Sequence, residues 1–149
     1  MNQSEKFYQS VNVLVKAYLE GTLIQGDCAA CAVGNLVAAK GGLRRVSYNL
    51  WHTPEGRHVE PFWFDLIKFP GELDGPERIQ GNKQIELIGY SLAEVDAIEC
   101  AFELRSFTGN SAGVDTILKG LMAVVDTLAS IHGIDLTTAT EAKALFVKA

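Results

Sequence analysis

Cys28-Ala29-Ala30-Cys31 places two thiols three residues apart where a helix is expected to begin. A helix N-terminus lowers a thiol pKa, and the spacing lets the two sulfurs meet, as a redox pair requires. The same pair is half of a zinc site that Cys100 and a histidine would complete. No strand signal leads into this helix and no second CxxC or HxxxH accompanies it, so close-packed structural cysteines are the third reading. Asp96, Glu99 and Glu103 share one stripe of a predicted helix and suit Mg²⁺, as in metal-dependent nucleotide hydrolases. Such enzymes need a second acidic pair on a facing helix. Asp115 and Asp126 stand about 16 Å apart along theirs, too far to share an ion, which leaves a solvated acidic face as the other reading. No G-x-S-x-G, P-loop or HExxH is present, so no catalytic residue is assigned.

The middle of the chain carries a different chemistry. Between Gly41-Gly42 and Tyr90 fall all four prolines, both tryptophans, seven of the thirteen aromatics and four of the five arginines. Val46, Tyr48 and Leu50 alternate with Arg45, Ser47 and Asn49, the period of a strand. Thr53-Pro54-Glu55-Gly56 has turn chemistry, and the return strand is predicted from Arg57 to Phe64. With Pro54 and Glu55 as the central turn residues, Trp51 pairs with His58, Asn49 with Glu60 and Ser47 with Phe62. One face then presents Arg45, Trp51, His58, Phe62 and Phe64, while Val46, Tyr48, Leu50, Val59, Pro61 and Trp63 pack inward. Aromatic planes such as Trp51 and Phe62 stack on bases. Arg44, Arg45 or Arg57 grips phosphate or carboxylate in bidentate fashion, and His52 and His58 titrate near neutrality. The bland reading is that both tryptophans anchor a thin sheet on the helices.

The flanks position this block. A first helix is predicted from Ser4 to Glu20 on the spacing of Phe7, Val11, Leu14, Val15, Tyr18 and Leu19, with Gly21 as its stop. A second runs from Asp27, as N-cap, to Lys40, and its small residues around Gly34 admit another backbone closely. From Lys68 to Gly89 the Pro/Gly punctuation predicts loop, with a strand at Gln84–Ile88. Ser91-Leu92-Ala93-Glu94 has the form of a capping box, Phe107–Gly113 that of a breaker, and Val114–His132 that of a central helix. A last helix is expected from the box at Thr138–Glu141. Asp27, Asn35 and His132 are the polar residues expected to face inward. Of these, His132 sits at a helix C-terminus, which stabilises a cation, and Asn35 serves either helix packing or a ligand.

At 149 residues, 48% hydrophobic and 21% charged, the chain reads as one soluble α+β domain spanning 1–149. It is mainly helical, with about five helices and a small antiparallel hairpin or sheet from residues 41–90, between a helical pair (1–40) and a helical C-terminal part (91–149). The net charge of −5 falls mostly on residues 91–149, and no block is basic enough to hold a long nucleic acid. There is no apolar run long enough for a membrane span and no secretion signal, and three cysteines make no disulfide framework. A cytoplasmic protein without a cofactor is expected.

Three segments, Gly26-Asp27-Cys28-x-x-Cys31-Ala32-Val33-Gly34-Asn35, Ile98-Glu99-x-Ala101-Phe102-Glu103 and Gly120-Leu121-Met122-Ala123-Val124-Val125-Asp126, resemble uncharacterised small proteins of Bacteroidetes-type bacteria and their phages. The resemblance covers about a quarter of the chain. It implies a phage or mobile-element setting, in which small proteins inhibit or sequester components of host defence, and it supplies no site residues.

The expected function is non-catalytic binding or sequestration of a small anionic, nucleotide-like ligand by Trp51, His58, Arg45, Arg57, Phe62 and Asn35, in a homodimer that covers the hairpin edges. Two alternatives stand beside it. One is a metal-dependent nucleotide hydrolase using Asp96, Glu99 and Glu103; the other is an interaction module whose aromatic face binds a host protein.

Overall fold

A computed structural model describes residues 1–106 and 116–147, except the side chains of 104–106. Helix α1 (Gln3–Glu20) is capped by Asn2, whose side chain accepts from the Glu5 amide, and it buries Phe7, Val11 and Leu14. Helix α2 spans Ala32–Gly41. A three-stranded antiparallel sheet follows: β1 (Arg44–Ser47), β2 (Leu50–His52) and β3 (His58–Val59), in that order. Then come α3 (Phe62–Lys68), a short 3₁₀ turn, α4 (Gly75–Ile88), α5 (Leu92–Ser106), α6 (Thr116–His132) and α7 (Leu136–Ala144). The architecture is mainly helical α+β, with seven α-helices among the described residues instead of about five. None of them is long and apolar enough to cross a membrane.

Leu121, Val124, Val125 and Leu128 of α6 are fully buried, and they share one hydrophobic cluster with α1, α2, α5 and both tryptophans. The wide apolar stripe read from the sequence accounts for that central place. The predicted capping box of α5 forms, with the Glu94 amide donating to Ser91 Oγ and the Ser91 amide to Glu94 Oε1. The expected breaker at 107–113 and the predicted first residues of α6 lie outside the described residues, as does Asp115.

Four expectations are corrected. Helix α2 starts five residues later than Asp27: its N-cap is Cys31, whose sulfur accepts from the Gly34 amide at 3.3 Å. Residues 68–89 hold α4 instead of a loop with a strand. Asp74 and Glu77 form a capping box there and Pro76 falls within the first turn, where its missing N–H costs nothing. Helix α7 is capped by Asp135, which accepts from the Thr138 amide, instead of starting at Thr138.

The fourth correction is the hairpin. Leu50–His52 does pair with the return strand across a turn at Pro54-Glu55, but Trp51 lies opposite Val59 and His52 opposite His58. The Gly56 amide donates to Thr53 O and the Thr53 amide to Arg57 O, so Gly56, at φ +85°, is an extra loop residue. A three-residue loop closed by a left-handed glycine is a standard alternative to the two-residue turn. One added residue shifts the register by one, and a one-residue shift exchanges the faces of a strand. Trp51 therefore points into the core. The strand predicted over 45–50 also breaks at Tyr48-Asn49, where Asn49 takes φ +53° and a tight turn separates β1 from β2. Beyond Pro61 the chain turns helical, and Gln84 of α4 accepts from the Trp63 amide at the start of α3.

Candidate functional site

The turn at Asp27–Cys31 is held by side chains from four later elements of the chain. Asp27, 1% exposed, accepts from the Ala29 and Asn49 amides through Oδ1 and from the Arg45 guanidinium through Oδ2 at 2.8 Å. Asn49 returns the bond, its side-chain oxygen accepting from the Cys28 amide at 2.7 Å. Asn49 takes the left-handed conformation, with its backbone N–H on Asp27 and its side chain on Cys28, and asparagine tolerates that conformation better than most residues.

Each carbonyl of the turn is also met. Trp63 Nε1 donates to Cys28 O, Trp51 Nε1 to Ala29 O, and Asn35 Nδ2 to Ala30 O and Cys31 O. Gly34 lies so close beneath that a Cβ there would stand 2.5 Å from Cys28 O and 2.7 Å from Ala29 C. The small-residue face of α2 thus admits this turn. The two indoles, predicted to face opposite ways, are both fully buried and serve as its clamps.

A cavity of about 370 Å³ opens over this turn. Cys28 and Cys31 line one part of it, with Asn49 and Gly26 beside them. Four aromatics, Tyr48, Phe62, Trp63 and Phe64, line another part, and four carboxylates, Glu60, Asp65, Glu99 and Glu103, complete the wall. No Lys or Arg is among the described residues that line it. Burial, before the neighbouring acids Glu77 and Glu72, raises the Asp65 pKa above its ordinary value. Burial likewise raises that of Glu103, against the Gly26 amide, which donates to both its oxygens at 3.1 Å.

The thiols are held protonated. Burial first, then the charges of Glu99, Asp65, Asp27 and Glu103, pushes Cys28 up to about 12. Burial drives Cys31 well above its ordinary value, outweighing the Gly34 amide. A thiol in that state is a poor nucleophile: Cys28 precedes α2 by four residues, and at Cys31, the N-cap, burial outweighs the helix terminus. Cys100 lies elsewhere, beside Asp96 and Lys68, so the three sulfurs do not converge. The trio of possible metal ligands that does converge among the described residues is Asp96, Glu99 and Cys100. Lys68 stands among them, 2.7 Å from Asp96 Oδ1 and 3.3 Å from Glu99 Oε2, and takes the place a cation would occupy. Glu103, the third member of the predicted acidic stripe, bonds Gly26 instead.

The residues expected to form one ligand face do not share one site. Trp51 is in the core; Arg45, paired with Asp27, lines one cavity with Arg44 and Asn35, whose side-chain amide donates to backbone carbonyls. Phe62 lines the acidic cavity, while Arg57 and His58 line a shallow groove with Lys83. His58 stacks on His52 with ring centroids 4.5 Å apart. The expectation of a charged His132 at the end of α6 is also corrected: burial lowers its pKa, and the ring is enclosed by hydrogen bonds. Of the cavity's acids the sequence pointed to Glu99 and Glu103 as candidates but not to Glu60 or Asp65, which the helical turn after Pro61 brings to the wall. Compared with known proteins, the chain matches no family model, no curated protein and no solved structure.

Proposed function

We propose that the protein is a non-catalytic binding module whose acidic, aromatic cavity takes a small organic cation, an amine or quaternary ammonium with an apolar body. The observation that carries this reading is the wall itself, in which four carboxylates and four aromatic rings meet without a lysine or arginine among the described lining residues. Ring faces attract ammonium groups, and desolvated carboxylates gain most from a cation. Burial is the first cause of the raised pKa values of Asp65 and Glu103, and a bound cation would offset it. Lys68 pairs with Glu99 at 3.3 Å, and the other three acids favour a cation here over the nucleotide-like anion expected from the sequence. Lys68 within the Asp96–Glu99–Cys100 cluster speaks against the hydrolase alternative.

Benzylammonium and benzoate share a ring and differ in the sign of charge. Benzylammonium should raise the melting temperature and benzoate should not, and Asp65→Asn combined with Glu60→Gln should remove the shift. A cation favours the ionised carboxylates, so its affinity should fall as pH drops through the raised pKa values of Asp65 and Glu103. Equal stabilisation by benzoate, or a shift that survives the double substitution, removes this cavity as a cation site.

A further inference from the structure

A second cavity, of about 220 Å³, lies between α1, α2 and the α4–α5 junction, and its charge is the reverse of the first. Lys6 and Lys40 line it, and no Asp or Glu is among the described residues that do. Val13, Leu36 and Ile88 give it an apolar side, and beside Gln9 its other polar side chains belong to one hydrogen-bonded series. Ser10 Oγ and Tyr90 Oη are 2.7 Å apart, Tyr90 Oη and His132 Nε2 2.7 Å, and His132 Nδ1 and Gln3 Oε1 2.7 Å.

The far end fixes the direction of the series. Gln3 Oε1 can only accept, so His132 Nδ1 carries a proton. In the neutral ring Nε2 then accepts the Tyr90 hydroxyl, and Tyr90 in turn accepts from Ser10. Ser10 faces the cavity as an acceptor. A proton added at Nε2 reverses both bonds: Nε2–H donates to Tyr90, Tyr90 donates to Ser10, and the Ser10 hydroxyl hydrogen is released toward the cavity. One protonation therefore adds a positive charge behind the wall and a donor on it.

We propose that this cavity binds a small organic acid, its apolar body against Val13, Leu36 and Ile88 and its anionic head met by Lys6, Lys40 and Ser10, with uptake of a proton at His132. The charges acting on that ring are Glu94 from α5 and Lys6 from α1, and Lys40 of α2 and the Met1 amino group line the same cavity. Burial holds His132 below its ordinary 6.5; Glu94 opposes this and Lys6 adds to it. A bound anion offsets the effect of burial and favours the imidazolium.

Hexanoate, hexanol and hexylammonium test the site with one body and three charges. Hexanoate should bind most tightly and should move the imidazole resonances of His132, leaving those of His52 and His58, the other two of the three histidines, unchanged. Lys6→Gln with Lys40→Gln, both on the surface of helices, should weaken hexanoate by about tenfold or more, the size of a lost charge-assisted bond. Hexanesulfonate, whose charge does not change with pH, should bind more tightly as the solution is acidified below neutrality, and Tyr90→Phe should flatten that dependence. Hexanol binding as well as hexanoate, an unmoved His132 signal, or full affinity in the double variant overturns the site. A pH-independent hexanesulfonate affinity overturns the proton uptake.

Discussion

Arg45 and Asp27 illustrate how far a residue's type is from its task. From the sequence Arg45 was a ligand grip and Asp27 a helix cap; in the fold they are one strut, an ion pair at 2.8 Å with the carboxylate buried and the guanidinium partly open to solvent. Asp27 was legible as an inward-facing polar residue because a lone acid between Gly26 and a run of small residues needs partners. Its partners were not legible, since Asn49 and Arg45 reach it only after the chain has turned back some 20 residues later. The two assignments for Arg45 separate by experiment. Arg45→Met leaves Asp27 buried with amide donors alone, and should cost about 2–3 kcal/mol, less than a fully enclosed pair because the arginine is partly solvated. Urea denaturation of the variant measures this. A variant as stable as the parent would mean that Arg45 is available to a ligand after all.

At the scale of elements, what was read correctly came from long periodic stretches with local caps. α1, α5 and the central α6 declared themselves in this way, because helical spacing and the Ser91–Glu94 box are local signals. α4 was missed although Asp74-x-x-Glu77 and Pro76 carry the same kind of signal, since Gly75, Gly81 and Gly89 made the segment read as punctuated. The hairpin failed for a subtler reason. Both turn lengths fit Thr53-Pro54-Glu55-Gly56, and only the loop count decides whether Trp51 faces water or core. Gly56→Ala discriminates the two. With Gly56 in the left-handed region and open space around it, alanine meets no atom but pays for its backbone conformation, about 1–2 kcal/mol. In the two-residue turn read from the sequence, the same substitution would cost next to nothing. Equilibrium unfolding of this single variant therefore reports the register, and with it the side to which Trp51 belongs.

For the molecule as a whole, the shifted groups make opposite demands at the two ends of the pH scale. On the acid side they partly cancel. His132, Asp96 and Asp135 have lowered pKa values, so the stability they contribute is lost as pH falls. Asp65 and Glu103 have raised ones, so the fold gains as these carboxylates are neutralised. On the alkaline side the described shifts agree. Cys28, Cys31, Cys100 and Tyr90 are raised chiefly by burial, and Lys68 chiefly by its bond to Asp96. A raised pKa means that the folded chain holds a proton the unfolded chain releases, so each contribution is intact below the ordinary value and disappears above it. For the thiols that value is 9.0. Stability should thus fall steeply above about pH 9, with enclosed Cys31 alone adding a slope of about 1.4 kcal/mol per pH unit, while the acid-side contributions oppose one another. Cys31→Ser keeps an N-cap for α2, a role serine fills well, and removes the titrating thiol. Urea unfolding of parent and variant at neutral pH and at about pH 10 compares slopes and not absolute stabilities, so any packing loss from the substitution drops out. A shallower alkaline slope in the variant is expected. An unchanged slope would mean that the Cys31 thiol reaches solvent, and that the turn beneath the acidic cavity is looser than its hydrogen bonds indicate.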